Sequence, residues 1–258
     1  MKIIAIVQAR TGSTRLPAKV LRPLCGAPML TRELERIQRA KLINALVVAT
    51  TDKVEDSAIV HIAKSIGCEV FLGDEKDVLD RFYHAAKEHG ATVVVRLTGD
   101  CPLHDPDVID ETVQHFLNAN GALDYTSTPR NYPEGLDCEV FTFKALEHAW
   151  GNAVLLSERE HVTPYIKNHP ELFVTDIWES AGDDFAHLHW SVDTEQDFQF
   201  VEAVYNKLFE LNPTFNKDDV LALLAENPSL GLLNAGSTGY EGLAKSLEED
   251  NAFLHSST

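Results

Sequence analysis

The hydrophobic pattern divides the chain into short apolar runs that alternate with stretches of helical period. Lys2–Gln8 reads as a buried strand, and Ala45–Thr50, Glu69–Leu72 and Thr92–Leu97 follow as further strands rich in β-branched residues. Between them, Met29–Ala40, with Leu30, Leu34 and Ile37 on one stripe, Val54–Ile66 and Asp77–His89 carry the apolar spacing of helices, and Pro106–Asn118 starts a fourth. A β-α-β-α rhythm of this kind predicts a mostly parallel sheet with helices on both faces. Later runs are shorter. Asp124–Ser127, Cys138–Phe143, Leu172–Trp178 and His187–Val192 read as strands, Ser157–Asn168, Asp197–Phe209 and Asp218–Ala225 as helices. The expectation is therefore one α/β domain over 1–230 with an inserted β-rich arm over about 129–190. A polar tail over 231–258 is expected to be partly disordered.

Charge changes this picture in one place. The 258 residues carry 22 Lys and Arg against 40 Asp and Glu, a net −18. This balance argues against a general nucleic-acid binder and against docking on an anionic membrane. Residues 1–41 go the other way, with nine basic and two acidic groups, a local +7 that suits a small anionic ligand. No apolar run approaches a membrane span, and the opening residues turn polar too soon for a signal peptide. The four cysteines are widely spaced and form no C-x-x-C pair, which fits a reduced, cytoplasmic setting.

The chemistry gathers in three places. Directly after the first strand comes Gln8-Ala9-Arg10-Thr11-Gly12-Ser13-Thr14-Arg15-Leu16-Pro17-Ala18-Lys19. Ligands of open parallel sheets bind at the carboxyl ends of strands. A loop there with a glycine, small hydroxyl residues and three cations meets the needs of a phosphate cradle, although it is neither a P-loop nor a Rossmann fingerprint. A solvated basic loop is the alternative. Asp100 stands just past the strand ending at Leu97, and Asp193 ends the run before Thr194. Each is also readable as a turn or capping residue. Together they would supply the one or two carboxylates that a hard Mg²⁺ takes before completing its shell with phosphate oxygens.

These stretches, with Leu97-Thr98-Gly99-Asp100-Cys101-Pro102-Leu103, Pro133-Glu134-Gly135-Leu136-Asp137-Cys138-Glu139-Val140-Phe141, the run from Glu158 through His161 to Tyr165, and Val192-Asp193-Thr194-Glu195-Gln196-Asp197, resemble the cytidylyltransferase family. That family includes CMP–sialic acid and CMP–Kdo synthetases, and the resemblance is strongest to the spore-coat polysaccharide biosynthesis protein F branch. It implies a Rossmann-like, three-layer α/β/α nucleotide-diphospho-sugar transferase-like fold. It implies an enzyme that joins CTP to an acidic sugar, giving a CMP-sugar and pyrophosphate for glycan synthesis, with Mg²⁺ as cofactor and a homodimer as the assembly. By the same resemblance, Arg10, Lys19 and Asp100 would be catalytic. Gln8, Ala9, Arg10, Gly12, Ser13, Arg15, Lys19, Arg81 and Asp100 would hold the nucleotide, and Asp100 and Asp193 the metal. Glu139, a free Arg159 and His161 would meet the sugar. The alternatives are a glycosyltransferase of related fold and a non-catalytic homologue. The first usually needs a paired Asp-x-Asp, where this chain has a single Asp in Thr98-Gly99-Asp100-Cys101-Pro102.

Overall fold

A computed structural model describes residues 1–236 and 241–256. Its centre is a seven-stranded sheet. Strands β1 (Ile3–Gln8), β4 (Ala45–Thr51), β5 (Glu69–Gly73) and β6 (Val93–Thr98) are parallel, and the sheet continues through β8 (Glu139–Thr142), β7 (Tyr125–Ser127) and β9 (Thr175–Asp176). The order across the sheet is β5-β4-β1-β6-β8-β7-β9, and β8 alone runs against its neighbours. A small hairpin pairs β2 (Pro23–Leu24) with β3 (Ala27–Pro28).

Helices cover both faces because the central strands are apolar on both sides. Ile3, Ala5, Val7, Val93 and Val95 face one core, shared with α1 (Met29–Ile37), α2 (Ser57–Ser65), α4 (Pro106–Asn118), α8 (Glu195–Leu208) and α9 (Lys217–Glu226). Ile4, Ile6, Val47 and Val94 face the other, shared with α3 (Val78–Glu88), α5 (Phe143–Asn152) and α7 (Pro164–Asn168), while α6 (Leu156–His161) packs against α3. The three-layer α/β/α expectation is met. The chain runs outward from β1 to β4 and β5, then returns to lay β6 on the other side of β1. The loops leaving β1 and β6 therefore diverge at a topological switch point, the usual crevice for a ligand in such sheets.

The middle of the chain departs from the expected β-rich arm. β8 and β9 belong to the main sheet, and α5, α6 and α7 lie between them. Helix α5 is absent from the sequence reading; Thr142 caps it by accepting from the Ala145 amide, and Ala145, Leu146 and Ala149 bury its inner face. The helix expected over Ser157–Asn168 is broken at Val162, which adopts φ +71 in a tight turn closed by the Thr163 amide donating to the His161 carbonyl. His187–Val192 forms no strand. Its backbone is bonded to loops instead: Glu134 N to Leu188 O at 3.1 Å, Trp190 N to Glu134 O at 2.7 Å and Val192 N to Asp100 O at 2.8 Å. Within the expected tail, α10 (Glu241–Ser256) packs on α6, where the Ser157 amide donates to Asp250 Oδ1. Positions 237–240 and 257–258 of that tail lie outside the described residues.

Candidate functional site

A cleft of about 820 Å³ opens at the carboxyl ends of β1 and β6, within the size range of small-molecule sites. Its floor is a close approach of two chain segments. The Gly99 amide donates to Gln8 O at 2.8 Å, and a side chain at 99 would place Cβ 2.9 Å from both Gln8 O and Ala9 Cβ. Only glycine allows Asp100 to follow β6 this close to β1.

The basic loop is shaped by a residue that its own sequence does not reveal. Asp56, nearly buried at the end of β4, accepts from Thr11 N and Thr11 Oγ1, each at 2.7 Å, and from the Thr51 hydroxyl. Burial pushes the Asp56 carboxyl up, but these hydrogen bonds outweigh it and hold the group ionised. Ala18 turns through φ +54 before Lys19 enters a 3₁₀ turn. Arg10 reaches Glu75 at 3.1 Å, and Arg15 reaches Asp193 at 2.8 Å.

Lys19 is the centre of the site. It is 7 % exposed, and its ammonium donates to Asp100 Oδ2 at 2.9 Å, to Asp193 Oδ1 at 2.9 Å and to the Val192 carbonyl at 2.6 Å. Burial alone would lower the lysine pKa; the two carboxylates overcome this and raise it. Burial would likewise raise Asp100, and the lysine charge and hydrogen bond hold it down at about 2. Glu33 is fully buried, and burial together with the Asp100 charge pushes its carboxyl well up. His104, 3.8 Å from it, is lowered by burial to about 4 and is neutral.

The Asp193 turn has its own support. Buried Asp197 accepts from the amides of Asp193 at 3.1 Å and Thr194 at 2.8 Å, while Thr194 caps α8. His189 lies 3.5 Å from Asp197 through Nε2 and bonds Glu134 through Nδ1. Desolvation would lower this histidine, but hydrogen bonds to Asp197 and Glu134 raise it to about 10, so an imidazolium links the Glu134 loop to α8.

Gln8, Ala9, Arg10, Gly12, Ser13, Arg15, Lys19, Arg81, Asp100, His161 and Asp193 all line the one cleft. Arg81 is 2 % exposed rather than a surface charge, and it donates to the Glu75 carbonyl at 3.0 Å and to the Asp74 carbonyl, fixing one rim. Glu139 and Arg159 stand behind the lining. Glu139 faces Arg96 across the β6–β8 pairing and accepts from Arg96 at 2.5 Å, Tyr125 at 2.6 Å, Thr163 at 2.7 Å and Lys167 at 3.2 Å. Arg159 is not free. It donates to Asp77 Oδ2 at 3.0 Å through Nε, pairs with the same carboxylate through a terminal nitrogen, and donates to Trp150 O at 2.8 Å. His161 bonds Ser246 of α10 at 3.1 Å, and Ser246 also donates to Glu160. Asp56, Glu75 and Lys167 are not legible as site residues in the sequence, because the fold brings them in from three separate segments. All four cysteines are free thiols, and among the described residues no helix is long and apolar enough to cross a membrane.

The arrangement offers a cationic loop, backbone amides and two carboxylates meeting at one cation, which suits a polyphosphate held next to a second substrate. Comparison with known proteins agrees. An uncharacterized protein of Methanocaldococcus jannaschii is 43 % identical over 241 residues, covering 91 % of this chain and 95 % of that protein. The spore coat polysaccharide biosynthesis protein SpsF of Bacillus subtilis is 37 % identical over 235 residues, covering 88 % and 95 %. The solved structure of a cytidylyltransferase from Leptospira borgpetersenii superposes with a TM-score of 0.85 at 32 % identity, covering 93 % of this chain and 100 % of that one. The family model for cytidylyltransferases matches residues 4–227. The chain belongs to the cytidylyltransferase family and is a nucleotidyltransferase enzyme.

Proposed function

We propose that the enzyme transfers the cytidylyl group of CTP to the hydroxyl of an acidic sugar of the 3-deoxy-2-ulosonate type, releasing pyrophosphate, as a step in surface-glycan synthesis. The observation that carries this reading is the meeting of Lys19, Asp100 and Asp193 beneath the basic loop. Arg10, Arg15 and Lys19 would bind the triphosphate and oppose the charge that grows on the departing pyrophosphate. Amides from Gln8 to Ser13, with Gly12 keeping the loop open, would face the base and phosphates. Arg81 would act from beneath by fixing the 74–75 rim. His161 would face the acceptor, with Glu139 and Arg159 holding the wall that carries it.

Asp100 and Asp193 fit a hard divalent ion. Both are oxygen donors and both already converge on a cation. Among the described residues no group of three His, Cys, Asp or Glu could hold a metal unaided, so phosphate oxygens would complete the shell. A bound Mg²⁺ supplies charge neutralisation and orientation of the phosphate groups. A homodimer in the cytoplasm belongs to the same reading, and the solution mass tests the dimer.

The test is a pyrophosphate-release screen with four nucleoside triphosphates, Mg²⁺ and a panel of sugars that includes Kdo and N-acetylneuraminate. Release that requires CTP and one acidic sugar supports the reading. Turnover with a neutral sugar alone removes the acidic class; no release with any pair removes the reading.

A further inference from the structure

The cleft holds several carboxylates, and most are already engaged. Asp100 and Asp193 bind Lys19, and Glu75 binds Arg10 and Lys53. Glu134 binds His189 and Ser191, and Glu160 accepts from Ser246. Asp137 differs. It lines the cleft, its side chain is exposed there, and the hydrogen bond described for it comes from an amide of its own loop, Gly135 N to Oδ2 at 2.8 Å. Oδ1 has no described partner. A carboxylate that accepts a proton during a reaction needs such an uncommitted lone pair.

The loop that holds Asp137 is rigid. Gly135 has φ +97, and a Cβ there would lie 2.5 Å from Ser191 N and from Trp190 C, so the loop is pressed against the segment that leads to Asp193. The Asp137 charge acts on the thiol of Cys101, the neighbour of Asp100, and Asp137 in turn feels Arg96, Glu134 and Glu139. It lines the same cleft as Lys19, Asp100 and Arg96, where an acceptor next to a bound triphosphate would have its hydroxyl.

We propose that Asp137 is the catalytic base that removes the proton from the attacking hydroxyl of the acceptor. The inference rests on the cytidylyl-transfer reading above. In the step, the acceptor oxygen forms a bond to the α-phosphorus of CTP, and the bond from that phosphorus to the bridging oxygen breaks. The bonding pair leaves with pyrophosphate, and the acceptor proton moves to Asp137 Oδ1. Charges facing this group are Glu134, Glu139 and Arg96, with the Cys101 thiol nearby. Desolvation by the surrounding cleft, ahead of the acidic neighbours, raises the carboxyl to about 6, so the base form fills as the pH approaches neutrality.

Asp137→Asn is the informative variant, because the amide oxygen still accepts from Gly135 and keeps the loop. Pyrophosphate release would be followed with CTP, Mg²⁺ and Kdo, N-acetylneuraminate or water as acceptor, across pH 5–9. CTP affinity would be measured by calorimetry and melting by fluorescence. The expected result is a fall in kcat of about 100- to 10 000-fold, CTP affinity within threefold, an unchanged melting point, and loss of the wild-type acid limb near pH 6. Wild-type kcat with an intact acid limb in Asp137→Asn overturns the proposal. So does loss of CTP binding, which would assign Asp137 to the nucleotide instead. A wild-type enzyme that releases no pyrophosphate with either sugar or with water overturns the transfer reading itself.

Discussion

The ammonium of Lys19 lies 2.9 Å from the carboxylate of Asp100, although 81 positions separate them in the chain. With Asp193 at the same distance, one buried cation joins an anion from the turn after β6 to an anion from the loop that leads into α8. Asp100→Asn or Asp193→Asn is expected to reduce pyrophosphate release by about 100-fold or more, with a smaller change in CTP affinity. Wild-type rates in both variants would remove the pair from catalysis. Lys19→Ala should weaken CTP binding at least tenfold, read by calorimetry, since it removes a phosphate partner and leaves two like charges adjacent.

Because Lys19 and Arg15 together offset the charge of the pair, the fold is not expected to depend on a divalent ion. Treatment with a chelator is expected to abolish turnover and leave the melting temperature within about 1 °C. A large drop in melting temperature on chelation would show a structural metal instead.

His189 gives a stability term with a defined sign. Its folded pKa of about 10 is above the unfolded value of about 6.5. The contribution is therefore complete below about pH 6.5 and is lost as pH rises toward and through 10. His189→Ala should cost roughly 3 kcal/mol at pH 6, since it strands Glu134 and Asp197. The difference from wild type should shrink by pH 10, as denaturant titrations at the two pH values would read. A gap that is constant with pH would mean that the imidazole is neutral.

Glu33 also has a raised folded pKa, and its effect falls in a lower pH window. Its folded pKa is raised, so stability falls as pH rises from the ordinary carboxyl value toward that of the folded state. Glu33→Gln keeps the shape and removes the ionisable group. It should stabilise the protein at neutral pH by about 1 kcal/mol, or some 2–4 °C in melting temperature. A lower melting temperature in this variant would show that the charged form is needed.

Gly99→Ala tests the floor of the cleft. With Cβ 2.9 Å from the Gln8 carbonyl, β1 and the β6 turn must part. Loss of both stability, by about 2 kcal/mol or more, and CTP binding is expected. Full CTP affinity with an unchanged melting point would show that the two segments part freely.

The strands β1, β4 and β6 were legible because fully buried parallel strands are continuous apolar runs, and β5, part-exposed at the sheet edge, because Val70-Phe71-Leu72 is a short apolar run. Pro106–Asn118 matches to the residue because Asp105, proline and the apolar period all mark it. The Val162 break was not legible, since a valine at positive φ contradicts its own preference and is imposed by the packing around it. Nor was the loop-bound state of His187–Val192, whose alternation suits a strand while its hydrogen bonds go to Glu134 and Asp100. Within the site, Arg10, Arg15 and Lys19 could be read because one loop carries them. Asp56, Glu75 and Lys167 could not, because only tertiary pairing aligns them. The partnering of Arg159 with Asp77 is of the same kind, set by how α6 lies against the start of α3.

The reversal of β8 has a consequence for how this cleft can vary. Every parallel strand delivers to the rim the residues that follow it, but an antiparallel strand delivers those that precede it. Residues 134–138 therefore reach the same rim as Asp100, as part of the loop that joins β7 to β8. Insertions or deletions between Ser127 and Glu139 would reshape the acceptor wall without shifting the register of any strand that carries the triphosphate loop. A loop exchange confined to that segment is therefore expected to alter this part of the rim without rebuilding β1, provided that Glu134 and its link through His189 to Asp197 are kept.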